Sequence, residues 1–164
     1  MSLLTPPRGS ADIRVGAPAP DFLLGDTTGV LWRLSDQLRQ GPVVMFFYPT
    51  AMAIGCTAES CRFRDLGAEF NALGAQRVGI SSSDLASQQE FTSINAFDFP
   101  LLSDSEGLVA TLYGARRSFS PRPTKRATYV ISTDGQIAGI VTSEIRMRAH
   151  ADESLEILRG LPPC

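Results

Sequence analysis

The stretch MFFYPTAMAIGCTAESCRFRDL, residues 45–66, holds two of the three cysteines of the chain. It overlaps an apolar run at 43–48 that has the length and the aromatic and β-branched content of a buried strand, and the run stops at Pro49, which cannot donate to a sheet ladder. After a short loop, Cys56 opens a segment whose apolar residues recur at helical spacing. These residues are Phe63, Leu66, Phe70 and Leu73. The stretch therefore predicts a buried strand, a loop and a helix that runs from Cys56 to near Gly74.

The predicted position of Cys56 indicates a nucleophilic thiol. The first backbone N–H groups of a helix lack internal partners and together carry about half a positive charge, which stabilises a thiolate. Cys56 is therefore the candidate nucleophile of the chain.

The second cysteine of the stretch, Cys61, lies on the same predicted helix. Its spacing from Cys56 places the two Cα atoms roughly 8–9 Å apart in an ideal helix, whereas a disulfide tolerates at most about 7 Å. A bond between them requires the first helical turns to unwind, so the spacing favours a redox cycle over a permanent disulfide. The alternative at this point is that both are buried apolar cysteines, since free cysteine is among the most buried residue types.

The composition restricts the fold and the partners. A chain of 164 residues with 43% hydrophobic content predicts one domain over 15–164, preceded by a flexible lead-in over 1–14. The formal charge of −2 excludes the basic excess that binding to nucleic acid or to an anionic membrane surface requires. The chain shows neither the ~20-residue apolar run of a transmembrane helix nor the apolar core of a signal peptide, so we expect a cytoplasmic protein.

The cysteine and histidine content predicts no metal site. Three cysteines are too few for the disulfide scaffold of a small secreted protein, and a close pair in a reducing compartment is more often catalytic or metal-binding. The other ligand types, Cys164 and His150, stand in no recognised zinc spacing. We interpret His150, near the start of a helix, as a capping or surface residue and leave it out of the site.

The rest of the chain alternates predicted strands and helices. An N-terminal hairpin pairs 22–24 with 30–32, and Ser35 is the predicted cap of a short helix at 36–39. A buried strand at 77–81 is followed by a helix that starts at Ser83 or Asp84. The apolar positions of this helix are Leu85, Phe91, Ile94 and Phe97. The remaining elements are a short helix near 106–113, a basic loop at 115–125, two strands at 127–132 and 136–142, and a final helix at about 149–159. This order predicts an α/β fold with a mixed central sheet flanked by helices.

Short motifs cluster around Cys56: Tyr48-Pro49, Gly55-Cys56-Thr57, Glu59, Cys61 and Phe63-Arg64-Asp65. These motifs resemble the active-site segment of the peroxiredoxins, in particular the bacterioferritin comigratory protein or PrxQ branch. The resemblance extends from Gly16 to about Leu158 and implies a thioredoxin-like three-layer fold. It further implies a peroxidase in which Cys56 reduces hydrogen peroxide or alkyl hydroperoxides, Cys61 resolves the oxidised sulfur, and a thioredoxin-type dithiol restores both thiols. We expect no cofactor and a monomer or weak homodimer.

The resemblance also indicates the supporting residues. Arg126 stands at the start of a predicted strand in a context similar to that of the family's active-site arginine, and a fixed guanidinium stabilises both a sulfur anion and a leaving oxygen. Glu59 either orients an arginine or is an acidic residue placed favourably in a first helical turn. Pro49 and Ala53 complete the expected substrate-binding residues. Ala53 departs from the family, which has a threonine there whose hydroxyl contacts the sulfur and the peroxide.

Two other functions remain open at this stage. The absence of a hydroxyl at Ala53 is compatible with a catalytically weak redox sensor or interaction protein that uses a switch between Cys56 and Cys61. A general thiol–disulfide oxidoreductase is the third hypothesis, although the cysteine spacing is not C-x-x-C. Turnover of peroxide would favour the peroxidase. A reversible disulfide without turnover would favour the redox sensor, and reduction of insulin without peroxide would favour the general oxidoreductase.

Overall fold

The apolar run after Pro42 forms the central strand of a computed structural model that describes residues 12–117 and 124–162. All five residues of this strand are buried, and successive side chains point to opposite faces of the sheet. Val43, Met45 and Phe47 enter one hydrophobic core, whereas Val44 and Phe46 enter the other. The strand thus lies between two cores.

The described residues form seven strands and six helices. The strands are β1 (Leu23–Gly25), β2 (Leu31–Arg33), β3 (Val43–Phe47), β4 (Gln76–Ser81), β5 (Leu101–Ser103), β6 (Ala127–Ile131) and β7 (Ile137–Thr142). The helices are α1 (Leu34–Gln37), α2 (Ile54–Asp65), α3 (Gly67–Ala72), α4 (Leu85–Asn95), α5 (Leu108–Leu112) and α6 (Ala149–Arg159).

The predicted mixed sheet is confirmed. Its strand order is β5-β4-β3-β6-β7, in which β3, β4 and β5 are parallel while β6 and β7 run antiparallel to their neighbours. The predicted N-terminal hairpin is also confirmed, because β1 and β2 pair antiparallel with Leu24 opposite Trp32.

Helices and the hairpin cover the two faces of the sheet. On one face, Phe22 and Trp32 from the hairpin region pack with Val109 from α5. On the other face, α2, α3, α4 and α6 contribute Phe63, Phe70, Phe91 and Leu155 to the second core. This arrangement is the predicted three-layer α/β fold, and it places the helix with the two cysteines over the second core.

The single helix predicted from Cys56 to near Gly74 is wrong, because the helix breaks at Leu66 into α2 and α3. The guanidinium of Arg77 donates to the Phe63 carbonyl at 2.8 Å and competes for the oxygen that the next helical turn would use. A Cβ at Gly67 would lie only 3.0–3.2 Å from side-chain atoms of Asp98 and Arg77. The glycine therefore allows this ion pair to approach the backbone at the break.

Three smaller predictions also need correction. Ser35 does not cap α1, since it lies inside the helix, where its N–H and hydroxyl both donate to Asp21 at 2.9 Å. In α4, Asp84 is the N-cap, but Leu85 and Ile94 are exposed rather than core residues. The predicted order of elements lacks the strand β5, whose three residues pair with β4.

Some predictions lie outside the described residues. These are most of the lead-in at 1–14, part of the basic loop at 115–125, and Cys164. Among the helices of the described residues, none has the length and apolar content needed to cross a membrane.

Candidate active site around Cys56

The N-terminus of α2 positions the thiol of Cys56. The helix begins after Ala53, whose extended backbone makes it the N-cap residue, and the loop before it turns through Met52 at a positive φ of 71°. Cys56 is therefore the third residue of the helix and is 1% exposed. Its sulfur lies in the first turn, where the unpaired backbone N–H groups favour a negative charge.

Arg126 contacts this thiol directly. It precedes β6, and its Nη2 donates to Cys56 Sγ at 3.3 Å while its Nη1 donates to Glu59 Oε2 at 2.6 Å. Arg126 is 5% exposed and Glu59 is 0% exposed. The structure therefore brings together three of the residues predicted for the site, and we name Cys56, Glu59 and Arg126 the thiol triad.

The position of Glu59 bears on the two interpretations left open for it. The residue lies in the second turn of α2, beyond the first turn in which a carboxylate favours the helix dipole, and its side chain is bonded to Arg126. This geometry favours the interpretation that Glu59 orients the arginine.

In the thiol triad, one buried guanidinium donates hydrogen bonds to two acidic groups, a thiol and a carboxyl, and this affects the ionisation of the carboxyl. Burial raises the pKa of Glu59 to about 8, against the lowering effect of Arg126. Burial acts to lower the pKa of Arg126, but Glu59 and Cys56 outweigh it and raise that pKa above its ordinary value. Within the described residues, Glu59 Oε1 and Arg126 Nε have no hydrogen-bond partner. The triad is thus buried, charged and only partly satisfied.

A cavity of about 400 Å³ opens onto the triad. Its lining contains the predicted residues Pro49 and Ala53 together with Cys56 and Arg126. The remaining lining residues are Ile54, Gly55, Arg117, Glu144 and Met147. We name this cavity the thiol pocket. Of the three residues expected to bind substrate, Pro49 and Ala53 therefore line the pocket, whereas Glu59 is not part of the lining and bonds to Arg126 instead.

Three of the lining residues that the sequence did not predict lie far from Cys56 in the chain. Glu144 accepts from the backbone N–H of Arg126 at 3.1 Å and also pairs with Arg117. Met147 lies against the start of α2, since a Cβ on Gly55 would be 3.0 Å from Met147 Cε. Arg117 lies in the basic loop, and Glu144 and Met147 lie in the connection between β7 and α6. Sequence spacing carries no signal that these connections meet at Cys56.

Cys61 lies outside the thiol pocket. Its partly buried side chain packs at the edge of the second core, and its Sγ lies 3.6 Å from Asn95 Oδ1 at the end of α4. Among the described residues, Cys56 and Cys61 are both free thiols. Both belong to α2, so helical geometry keeps their Cα atoms roughly 8–9 Å apart in this state.

His150 was wrongly interpreted as a capping or surface residue. It is 0% exposed, its Nδ1 lies 2.7 Å from Thr128 Oγ1, and its Nε2 lies 2.8 Å from the Ser143 carbonyl oxygen. Burial lowers the pKa of the imidazole. The start of α6 faces the sheet at this point, which the sequence pattern did not reveal.

The described residues contain no group of three or more histidine, cysteine, aspartate or glutamate side chains arranged to hold a metal ion.

Glu59→Gln should change how stability depends on pH. Folding raises the pKa of the carboxyl from 4.5 to about 8, so the stability that its protonated form contributes is fully present below about pH 4.5 and is lost as the pH rises through about 8. We expect the free energy of unfolding of the parent to fall across this interval relative to that of the variant. Urea unfolding followed by circular dichroism at several pH values measures the difference.

The exposed Glu90 provides the matched control, and Glu90→Gln should leave the pH profile of the parent unchanged. Parallel profiles for the parent and Glu59→Gln would contradict the prediction and would mean that Arg126 keeps the carboxylate ionised over this range.

Comparisons with known proteins agree with this fold. The AhpC/TSA family model matches residues 15–140. A peroxiredoxin of Mycobacterium tuberculosis H37Rv is 46% identical over 151 residues, which cover 91% of this chain and 98% of the relative. The chloroplastic peroxiredoxin Q of Oryza sativa subsp. japonica is 36% identical over 146 residues, covering 89% of this chain and 67% of the relative.

Solved structures give the same result. The crystal structure of peroxidoxin BcpB from Mycobacterium tuberculosis superimposes with a TM-score of 0.87 at 46% identity, covering 92% of this chain and 99% of that one. A cysteine variant of Xanthomonas campestris peroxiredoxin Q has a TM-score of 0.79 at 26% identity, covering 92% and 98%. The chain belongs to the AhpC/TSA family, as a peroxiredoxin of the PrxQ and bacterioferritin comigratory protein branch.

Proposed function

We propose that the protein reduces hydrogen peroxide and alkyl hydroperoxides at Cys56 and returns to its thiol form through Cys61 and a thioredoxin-type dithiol. The observation that carries the proposal is the contact of 3.3 Å between Cys56 Sγ and Arg126 Nη2 at the N-terminus of α2. The relatives named above are peroxiredoxins, which supports the class of reaction.

In the first step, the Cys56 thiolate attacks the terminal oxygen of the hydroperoxide. The oxygen–oxygen bond breaks, a sulfur–oxygen bond forms, and the leaving alkoxide or hydroxide takes a proton from solvent. Cys56 becomes a sulfenic acid and the peroxide becomes an alcohol or water. The helix N-terminus and Arg126 favour the thiolate before the attack, and the guanidinium also lowers the energy of the charge that develops on the oxygens.

The thiol pocket suits small hydroperoxides. Its guanidinium donors lie beside apolar surface from Pro49, Ile54 and Met147, so the polar end of a hydroperoxide meets Arg126 while an alkyl group contacts the apolar wall. Glu59 holds Arg126 at 2.6 Å and directs the guanidinium toward the sulfur. We assign it a positioning role behind the substrate.

In the second step, the Cys61 thiol attacks the sulfur of the sulfenic acid, a disulfide forms and water leaves. The helical separation of the two residues exceeds the reach of a disulfide, so the first turns of α2 must open. The exposure of the helix start favours this opening, because Ile54, the first residue of α2, is 91% exposed. Cys61 is only partly buried and gives up one weak contact with Asn95.

The C-terminal turn of α2 is held much more firmly. Arg62 donates to Asp152 of α6 at 3.0 Å, and Arg64 donates to the backbone oxygen of Asn95 of α4 at 2.8 Å. Between them, Phe63 is fully buried and stacks on a core ring at 4.1 Å. We name Arg62, Phe63 and Arg64 the helix anchor. It limits the opening to the residues before Arg62.

In the last step, a dithiol reduces the disulfide by exchange. An external thiolate attacks one sulfur, a mixed disulfide forms, and the second thiol of the reductant releases the protein with both cysteines reduced. The step is consistent with a reducing compartment such as the cytoplasm and requires no cofactor. We propose that the protein performs it as a monomer or a weak homodimer.

The proposed function is tested by a steady-state peroxidase assay with thioredoxin, thioredoxin reductase and NADPH. We expect NADPH consumption that depends on peroxide and falls to background in Cys56→Ser. Cys61→Ser should retain one oxidation of Cys56 per molecule but lose turnover with thioredoxin, because no disulfide forms. If the parent consumes NADPH no faster than Cys56→Ser, the peroxidase proposal is wrong.

Arg126→Met should slow the oxidation of Cys56 by peroxide by about 10²–10³, because it removes an oriented charged donor from a buried site. The rate is measured in a single turnover by quenching with an alkylating agent and quantifying reduced Cys56 by mass spectrometry. Arg159→Met, on the half-exposed surface of α6, is the matched control and should keep the parental rate. Equal rates for the two variants would remove Arg126 from the mechanism.

Amide hydrogen exchange should show the opening of α2. In the disulfide form, amides at 57–63 should lose protection, because the turns that accept their hydrogen bonds open. The amides of Leu66 and Phe70 should stay protected, because their acceptors lie at and beyond the helix anchor. Peroxide-treated Cys61→Ser is the control and should keep the whole helix protected. Equal protection in both redox states, with the disulfide verified by mass spectrometry, would refute the opening.

The redox-sensor function is the second candidate, and one observation favours it. Among the described residues that line the thiol pocket, none carries a hydroxyl, and the Thr57 hydroxyl donates to the Ala53 carbonyl at 2.8 Å. The donor that the family places at position 53 is therefore not replaced by this neighbour. A reversible disulfide between Cys56 and Cys61 without turnover in the peroxidase assay would support the sensor over the enzyme.

A further inference from the structure

We propose that His150 is a positioning residue that fixes the outer wall of the thiol pocket against the strand next to Arg126. The proposal rests on the proposed function of Cys56 and adds a residue that neither touches the sulfur nor lines the pocket. It concerns the connection at 143–147, which carries two of the lining residues, Glu144 and Met147.

The hydrogen bonds of His150 determine its protonation pattern. A carbonyl oxygen can only accept, so the 2.8 Å contact with the Ser143 oxygen requires a hydrogen on Nε2. In the neutral imidazole Nδ1 is then an acceptor, and the Thr128 hydroxyl donates to it at 2.7 Å. Both ring nitrogens are therefore used, and the ring has one orientation that satisfies them.

The neutral form is the one that the surroundings favour. Burial lowers the pKa of His150, and the positive charge of Arg126 acts in the same direction. Ser143, Glu144 and Glu153 act in the opposite direction without reversing the effect. The imidazole therefore serves as a fixed link between a donor and an acceptor rather than as a proton carrier.

The first side of this link is β6, the strand that follows the active-site arginine. Thr128 is the second residue of this strand and lies two residues after Arg126. Thr128 is fully buried, and its hydroxyl points to α6 where it meets His150. A shift of the imidazole is therefore transmitted to β6 next to the thiol triad.

The second side of the link is the wall of the pocket. Ser143 follows β7, and its hydroxyl accepts from the backbone N–H groups of Ile145 and Arg146 at 3.3 and 2.8 Å, which folds the connection into a turn. The turn places Glu144 against the backbone N–H of Arg126 at 3.1 Å and Met147 against Gly55. His150 holds the residue from which this turn starts.

Loss of the link should loosen the wall without removing any group that contacts the sulfur. Small displacements of positioning groups cost up to about 10²-fold in rate when the reacting atoms depend on them. We expect His150→Phe and Thr128→Val to slow the oxidation of Cys56 by hydrogen peroxide by about tenfold. His150→Gln keeps a donor toward Ser143 and an acceptor toward Thr128, so it should restore most of the parental rate.

The experiment compares these three variants with the parent and with Thr142→Val, which makes the same change at an exposed position of β7. Three quantities are measured on each: the rate of Cys56 oxidation, the rate of Cys56 alkylation by iodoacetamide, and amide exchange at Arg146 and Met147. The proposal predicts that the oxidation rate and the alkylation rate of Cys56 both change in His150→Phe and Thr128→Val, and that exchange at the two amides rises in these variants. Thr142→Val should keep the parental rates and exchange, and His150→Gln should largely restore them.

Unchanged rates and exchange in Thr128→Val would overturn the proposal, and so would a His150→Gln variant as impaired as His150→Phe. If circular dichroism shows that His150→Phe does not fold, Thr128→Val and His150→Gln still test the proposal by comparison with the parent. Alkylation and exchange do not require peroxidase activity. A parent that fails to react with peroxide therefore refutes the proposed function, while these two measurements still test the role of His150.

Discussion

The site depends on one buried guanidinium that is shared between two acidic groups. Arg126 donates to Cys56 and to Glu59, which both lie on α2. Removing a charge from water is costly unless it is paired, so the carboxyl is what allows a charged arginine to remain beside the sulfur. Burial of the carboxyl keeps the pKa of Glu59 above its ordinary value despite its contact of 2.6 Å with the guanidinium.

The topology of the sheet makes this contact possible. Arg126 and Cys56 are 70 residues apart in the chain, but β6 lies beside β3, and the loop after β3 leads directly into α2. The strand that precedes the thiol and the strand that follows the arginine are therefore neighbours. The candidate site forms where an antiparallel strand joins an otherwise parallel set of strands, and the connection after β7 closes it from outside.

The sequence predicted what local patterns encode. The buried run at β3, the hairpin turn and the final helix follow from residue periodicity and from turn residues, and the position of Cys56 follows from the start of a helical pattern. The break at Leu66 could not be predicted, because it depends on Arg77 reaching the Phe63 carbonyl from a distant strand. Likewise, Leu85 and Ile94 have helical spacing, yet the tertiary packing of α4 leaves them in solvent.

The same limit applies to the candidate site. The family motifs around Cys56 and Arg126 pointed to residues that the structure brings together, whereas the contributions of Glu144 and Met147 come from a connection without a motif. His150 shows the reverse error. A single histidine near a helix start gives no information on burial until Thr128 and Ser143 are known to face it from two other segments.

The helix anchor has a consequence for the fate of the protein under strong oxidative stress. On the proposed cycle, a sulfenic acid at Cys56 waits in the folded pocket until the turns before Arg62 open. During that interval a second peroxide molecule competes with Cys61 for the same sulfur, and its success gives a sulfinic acid that thiols do not reduce. The helix anchor keeps the C-terminal turn of α2 folded through its contacts with α4, α6 and the core, and so restricts the opening that brings Cys61 to the sulfur. These contacts therefore help to determine the peroxide concentration at which Cys56 is overoxidised and the protein is inactivated.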